Sequence, residues 1–343
     1  MRSPIIRLIQ HWRSQRNLRI LQPPYSACYA FVGVGSHALQ NLYPVLQFLG
    51  IRLKYICCQS PEKLPLIERR FGVTATTSLD TILDDDEVAG VLVCTSPQSH
   101  YEICSRVIAS GKYLFIEKPP CQTPDQLEQL IAQDKGQMTM VGMQKRYSPL
   151  IRMLQKRLLK NKPISYTLSF HTGTYPEGNP FTELFIHPVD LVSYLFGEAE
   201  IKAVRQVDTD GTTTVQALVS HGEVTGIMEL STAYSWTTPK ESLHINTREG
   251  EYRLEQMERL YHIPHPKRVA GIPLEKLGLF TASGQALIER DNFNPLITNN
   301  QLHTQGFLPE IKAFADMVEH SGKNLSPLYC MRNTYKFIAS LKP

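Results

Sequence analysis

The stretch Phe31-Val32-Gly33-Val34-Gly35-Ser36-His37-Ala38 decides the fold of the N-terminal half of the chain. It closes the apolar run 27–34, which is typical of a buried strand, and a helical pattern follows over 37–49. Gly33 and Gly35 fall in the turn, where backbone N–H groups can face a pyrophosphate, and Ala38 stands where only a small side chain fits. The glycines alone are a weak signal, but strand, turn and helix together favour a dinucleotide-binding loop.

Strands and helices alternate along the rest of this half. We predict strands over 53–58, 90–94, 112–116 and 138–143, and helices over 62–71, 100–110 and 125–133. Such alternation predicts a Rossmann domain, an α/β fold with a doubly wound parallel sheet, over 24–146.

The pattern changes after Tyr147. One helix is predicted over 182–196, and consecutive strands over 201–207, 212–219, 224–230 and 242–246 indicate an antiparallel sheet. Residues 261–300 show no periodicity, and helices are predicted over 308–318 and 330–341. We therefore predict a C-terminal α/β domain over 147–343, built on a large, mostly antiparallel sheet, whose last helix can pack back on the first domain.

Residues 1–23 form an extension with five arginines and no acidic residue, and its apolar residues have helical spacing. We interpret it as a helix that packs on its own chain or on a partner subunit; an organelle transit peptide is the alternative. The composition of the whole chain is typical of a folded soluble protein, with 42% hydrophobic and 20% charged residues among its 343 residues.

Charge and cysteine usage exclude several classes of partner. The net charge of +4 is dispersed, so no nucleic acid is expected, and no apolar run is long enough to span a membrane. The seven cysteines are odd in number and lack metal-ligand spacing, which predicts reduced thiols in the cytoplasm and no metal site.

The end of the second predicted strand bears on the choice of cofactor. An acidic residue commonly stands there and binds the adenosine ribose, but this chain has Cys57-Cys58-Gln59-Ser60. No carboxylate would repel a 2′-phosphate, while Gln59 and Ser60 can still bond a ribose hydroxyl. The sequence therefore leaves NAD and NADP both open.

A second motif, Phe115-Ile116-Glu117-Lys118-Pro119-Pro120, ends a predicted strand at the edge where α/β sheets bind ligands. A strand-end lysine alone is more often a surface charge, so the spacing to other motifs must decide. The glycine loop, this motif and three further segments closely resemble the Gfo/Idh/MocA oxidoreductases in order and spacing. The further segments are Cys94-Thr95-Ser96-Pro97 with His100, Lys145-Arg146-Tyr147-Ser148-Pro149, and Glu183 to Asp190 with His187.

The resemblance spans roughly residues 27–341 and implies hydride transfer at a sugar carbon, with a sugar-like small molecule as substrate. It also implies homo-oligomers, dimers or tetramers, formed through the large sheet. The cofactor-binding residues it implies are Gly33, Gly35, Ser36, His37, Cys58, Gln59, Thr95, Ser96, Pro97, His100, Glu117 and Lys118.

Hydride removal from a secondary alcohol requires a proton acceptor and a positive charge near the oxygen. We expect His187 to be the acid or base and Lys118 to bind the same oxygen, although a core histidine is the commoner reading of a lone His. Glu183, where the family has aspartate, is expected on the same helical face as His187 and is a candidate to orient it, unless Pro188 delays the helix start.

Three more residues have two interpretations each. Asp190 either bonds a substrate hydroxyl or fixes its helix. Arg146 and Tyr147 either contact substrate or brace the two domains. A family-like protein that binds a dinucleotide but has lost turnover is the alternative function, motivated by Glu183 and by the missing strand-end acid.

Overall fold

The computed structural model describes residues 4–21, 24–278, 283–290, 293, 296 and 299–342. Six parallel strands form the first sheet, in the order β3-β2-β1-β4-β5-β6, which is the doubly wound order of a dinucleotide-binding fold. The strands are β1 Cys28–Val32, β2 Arg52–Cys57, β3 Thr74–Thr76, β4 Val88–Val93, β5 Tyr113–Glu117 and β6 Thr139–Gly142. The predicted Rossmann fold is therefore confirmed.

Helices connect these strands, after an N-terminal helix. They are α1 Pro4–Leu21, α2 Tyr43–Leu49 with a π-helical turn Ala38–Leu42 before it, α3 Leu64–Phe71 with a 3₁₀ turn Pro61–Lys63 before it, α4 Asp80–Leu83, α5 Pro97–Ala109 and α6 Pro124–Gln133. The helices α3, α5 and α6 and the 3₁₀ turn Pro61–Lys63 carry proline in the first turn, where its missing N–H costs no helical hydrogen bond.

The second sheet has eight strands in the order β16-β13-β12-β11-β7-β10-β9-β8. All neighbours are antiparallel except β7 and β10, so the predicted large, mostly antiparallel sheet is confirmed. Its strands are β7 Pro163–His171, β8 Glu200–Thr209, β9 Thr212–His221, β10 Val224–Ser231, β11 Lys240–Thr247, β12 Gly250–Glu255, β13 Arg259–Pro264 and β16 Gln285–Glu289; β14 Arg268–Val269 and β15 Ile272–Pro273 pair separately.

Helices cover one face of this sheet. The helices of this half are α7 Pro149–Leu158, α8 Pro180–Glu183, α9 Ile186–Phe196, α10 Gln301–Thr304, α11 Phe307–His320 and α12 Met331–Ser340. Apolar residues of α7, α9 and α12 share one core with inward residues of β7, β9 and β10. Along β10 the burial alternates, so that Met228 is buried and its neighbour Ile227 is 57% exposed on the open face.

The helix α11 lies late in the chain but packs on the first sheet. Phe314 contacts the rings of Tyr29 and Phe115 at centroid distances of 6.2 and 5.8 Å. The helix α12 also contacts the first half of the chain, since Tyr335 Oη donates to Cys121 O at 2.6 Å.

Three expectations differ from the structure. Residues 261–300 were expected to be irregular, but β13 to β16 fall partly there. The predicted helix 182–196 is two helices, α8 and α9. The extension is helical as predicted, but the side chains described in it, residues 4–15, are exposed rather than buried.

No helix among the described residues is both long and apolar enough to cross a bilayer.

Candidate functional site

The glycine loop is built so that one backbone position tolerates only glycine. Gly33 has φ +113°, and a Cβ there would overlap the carbonyl oxygen of Cys94. Its N–H donates to Cys57 O at 2.9 Å and its carbonyl accepts from Tyr43 Oη at 3.0 Å. A Cβ on Gly35 would meet nothing within 4 Å, so this residue faces open space. The loop thus has the shape of a cradle for a phosphate.

A cavity of about 620 Å³ opens beside this loop at the carboxyl ends of β1, β2 and β4. Its walls include eight of the predicted cofactor-binding residues, which are Gly33, Gly35, Ser36, His37, Cys58, Gln59, Thr95 and Ser96. Pro97 forms the first turn of α5 just beyond. The cleft is lined by both apolar and polar residues and lies where the strand order of the doubly wound sheet reverses. A cleft of this size and place fits a dinucleotide.

His100 lies behind this wall. Its ring is buried, with Nδ1 2.7 Å from Pro119 O and Nε2 3.1 Å from Thr95 O. Burial lowers its pKa, so the charged form is disfavoured although both nitrogens face carbonyl oxygens. Because His100 ties the loop after β4 to the loop after β5 and does not line the cavity, its predicted contact with a cofactor is replaced by a supporting role.

Glu117 and Lys118 stand at the end of β5. Glu117 is buried, with Oε1 3.4 Å from His37 Nε2 and Oε2 accepting from Lys118 N at 3.3 Å. Burial alone would raise the pKa of Glu117, but His37 and the Lys118 cation outweigh it and the pKa lies below its ordinary value. Lys118 Nζ donates to Glu183 O at 2.6 Å, and burial lowers the pKa of this amine, partly opposed by Glu117 and Glu183.

His187 lies in the first turn of α9, near Lys118. Burial lowers the pKa of its imidazole well below the ordinary value, and the cations of Lys118 and Lys145 lower it further. No described side chain hydrogen-bonds to its ring. His187 is therefore a neutral imidazole at neutral pH, and it is free to bond a ligand oxygen.

Glu183 does not orient His187. Its carboxylate accepts from Tyr175 Oη and from Asn179 N, both at 3.0 Å. The helix breaks at residues 184–185 and restarts at Ile186, so that Pro188 falls in a first turn, where it is tolerated. The shared helical face expected for Glu183 and His187 is therefore absent, and the predicted orienting role is wrong.

Arg146 and Asp190 are paired with each other. Arg146 Nε and Nη2 donate to the two Asp190 oxygens at 2.8 and 2.6 Å, Nη1 donates to Leu325 O at 2.8 Å, and Thr334 Oγ1 donates to Asp190 Oδ1 at 2.8 Å. Both residues are buried. Their polar atoms are occupied within the protein, which supports the bracing interpretation of both and leaves them no free group for substrate.

Tyr147 is also buried in this brace. Its hydroxyl lies 3.1 Å from Ser326 Oγ and accepts from Leu325 N at 2.9 Å. These bonds link the 3₁₀ turn Gln144–Tyr147 to the segment before α12, which supports the bracing interpretation of Tyr147.

Two charged residues of this region were not predicted as site residues. Lys145 is buried, pairs with Glu241 and lies 5.2 Å from the centre of the Phe170 ring. Glu310 on α11 is fully buried, and neither of its carboxylate oxygens has a hydrogen-bond partner among the described residues. Lys145 stands beside Arg146 in the motif Lys145 to Pro149, which was the available signal. Glu310 gave none, because it sits in an ordinary amphipathic helix.

The fold and the glycine cradle define the N-terminal half as a nucleotide-binding oxidoreductase domain. Residues 28–144 match the model of the oxidoreductase family with an NAD-binding Rossmann fold, Gfo/Idh/MocA. The N-terminal half is therefore similar to that family, as the motifs predicted, and the predicted cofactor class, NAD or NADP, is confirmed at that level.

Curated relatives carry related descriptions. An uncharacterized oxidoreductase, YhhX, from Escherichia coli is 26% identical over 188 residues, 49% of this chain and 54% of that protein. An inositol 2-dehydrogenase from Rhizobium meliloti is 20% identical over 313 residues, 87% of this chain and 90% of that protein. The chain spans about half the length of several of the curated relatives it matches, such as YhhX at 54%.

Solved structures share the whole architecture. A dehydrogenase from Chromobacterium violaceum superposes with a TM-score of 0.78 at 17% identity, covering 92% of this chain and 94% of that one. KijD10, a 3-ketoreductase from Actinomadura kijaniata in complex with TDP-benzene and NADP, has a TM-score of 0.71 at 16% identity, covering 92% and 96%. These similarities establish the two-domain fold.

Proposed function

We propose that this protein is an NAD(P)-dependent oxidoreductase that moves a hydride between the nicotinamide and a hydroxyl or keto carbon of a sugar, sugar derivative or nucleotide sugar. The observation that carries the proposal is that Lys118 and His187 lie close enough for the lysine cation to lower the pKa of the imidazole. Lys118 adjoins Glu117, whose carboxylate lies 3.4 Å from His37 in the cavity wall. The names of two relatives, an inositol 2-dehydrogenase and a 3-ketoreductase crystallised with TDP-benzene, support a polyhydroxylated substrate.

The chain's own residues can handle the proton and the charge of this reaction. A nicotinamide held beside Lys118 and His187 would supply or take up the hydride. The neutral imidazole of His187 is in the form that accepts the hydroxyl proton of an alcohol. The Lys118 cation stabilises the oxygen as negative charge develops on it.

The test is turnover with NAD, NADP and their reduced forms against inositols, sugars and nucleotide sugars, followed by nicotinamide absorbance. Lys118→Met and His187→Gln should each lower kcat by roughly 100-fold or more, with cofactor binding retained. Lys156→Met, which changes an exposed lysine outside the cavity, is the matched control. Unchanged turnover in the Lys118 variant would refute the mechanism.

A second candidate is a family-like protein that binds the dinucleotide without turnover. It is favoured by one observation, the Glu183 carboxylate that is held by Tyr175 and Asn179 and leaves His187 without an acidic partner. Tight cofactor binding with no turnover across a broad panel would support it over the enzyme.

We further propose that the protein forms homo-oligomers in the cytoplasm. The open face of the large sheet exposes apolar side chains, Ile227 and Leu218 among them, and such a face is suited to burial against a second copy. All seven cysteines are free thiols, as in a reducing compartment.

A further inference from the structure

The segment after β2 lies beside the glycine loop. Val32 at the end of β1 pairs with Cys57 at the end of β2, and Gly33 N donates to Cys57 O at 2.9 Å. Cys58, Gln59 and Ser60 continue from that point and line the same cavity. In a doubly wound fold, this edge meets the adenosine ribose of a dinucleotide.

The residue at the strand end is a poor partner for a ribose diol. Cys58 is buried, and its thiol lies 3.5 Å from Ser60 O, to which it can donate. A thiol is a weak acceptor, whereas a carboxylate would accept from two hydroxyls at once. Among the residues that line the cavity, the one carboxylate is Glu102, and it comes from α5 rather than from this segment.

The same segment supplies donors without partners. Lys63 lines the cavity, is exposed and takes part in no ion pair among the described residues. The Ser60 hydroxyl caps no backbone group, and neither it nor the Gln59 amide has a hydrogen bond among the described residues. Arg106, the wall's other long cation, is already paired with Asp80.

We propose that this site is specific for a 2′-phosphate, so that the protein prefers NADP to NAD, with Lys63 as the cation that selects the phosphate and Ser60 and Gln59 as neutral donors. The inference rests on the proposed function, because it assigns the cofactor of the same cavity. A 2′-phosphate dianion forms a charge-assisted hydrogen bond to Lys63. The ribose hydroxyls of NAD, in contrast, find no carboxylate acceptor at position 58, where the chain has Cys58.

Binding of NADP, NAD, adenosine 2′,5′-bisphosphate and AMP is measured by calorimetry, which needs no turnover. We expect NADP and the bisphosphate to bind at least about tenfold tighter than NAD and AMP, the size of one charge-assisted hydrogen bond. Lys63→Ala should remove most of this difference and leave NAD and AMP unchanged. Raising the ionic strength should weaken NADP binding more than NAD binding.

Two further variants sharpen the test. Cys58→Asp should strengthen NAD binding and weaken NADP binding. Cys58 is buried, so the substitution can prevent folding; in that case Ser60→Ala, on a half-buried side chain, is measured instead. Lys160→Ala, on an exposed lysine outside the cavity, is the control and should change nothing.

The outcomes separate this inference from the proposed function. If NAD binds as tightly as NADP, or if Lys63→Ala leaves NADP binding unchanged, the 2′-phosphate site is refuted while the dinucleotide-binding function stands. If neither dinucleotide binds the folded protein, both are refuted.

Discussion

Replacing Asp190 by alanine should destabilise the protein strongly, because it leaves a buried guanidinium without its counter-ion. Arg146 and Asp190 are 3% and 2% exposed and share two hydrogen bonds. After the change, the Leu325 carbonyl is the partner left to Arg146 in the structure. Removing one member of such a pair costs about 3–5 kcal/mol, a large part of the roughly 5–15 kcal/mol that stabilises a native protein.

Urea unfolding followed by circular dichroism measures this loss. The matched control is Glu128→Ala, which breaks an equally bidentate pair with Arg332 on the surface and should cost no more than about 1 kcal/mol. The double variant Arg146→Met with Asp190→Leu should recover much of the loss, since no buried charge then remains. An Asp190 variant that unfolds with the same midpoint as the Glu128 variant would refute this reasoning.

Three further predictions follow from single residues. Because folding lowers the pKa of His187, the unfolded chain binds more protons than the folded one below about pH 6.5, and the free energy of unfolding falls as the pH falls. In urea unfolding, His187→Gln should lose less stability than the parent between pH 7.5 and 5. An equal loss in the variant and the parent would contradict this prediction. Burial raises the pKa of Glu310, so the stability that its protonated form contributes is lost as the pH rises through the pKa of the folded state. By the same measurement, Glu310→Gln should be more stable than the parent at pH 8. Ile227→Glu on the open sheet face should lower the mass found by light scattering, unless this face is not the interface.

The first sheet was predictable because its signals are local. Each strand is a short apolar run and each connection a helix, so β1, β2, β4, β5 and β6 are found at the predicted places. β3 was missed, since it has three residues and none is fully buried. β7 was missed because its burial follows no clean alternation. β12 was missed although polar and apolar residues alternate along it, because the strand is only six residues long.

The candidate site was predictable as a set of positions but less so as a set of contacts. The motif spacing predicted Lys118 and His187 in one region, and the Lys118 cation is among the groups that lower the pKa of His187. The Arg146–Asp190 pair joins residues 44 apart in sequence, and no periodicity reveals such a partner. Glu183 was misjudged because a continuous helix was assumed across residues 184–185, and Pro188 was the only sign of a later start.

The brace and the site depend on one another through α9. Asp190 stands one turn after His187, so the Arg146 pair and Thr334 fix the helix whose first turn carries the imidazole. His187 is held neutral beside two cations and has no acidic partner, which lowers the stability of the fold at acid pH. The hydrogen-bonded Arg146–Asp190 pair offsets this loss of stability. Catalytic groups in strained electrostatic surroundings need such support, because a shift of about 1 Å is enough to lose their alignment. Arg146 and Asp190, for which the sequence left a structural role and a substrate contact both open, thus serve the site by positioning the helix that presents His187.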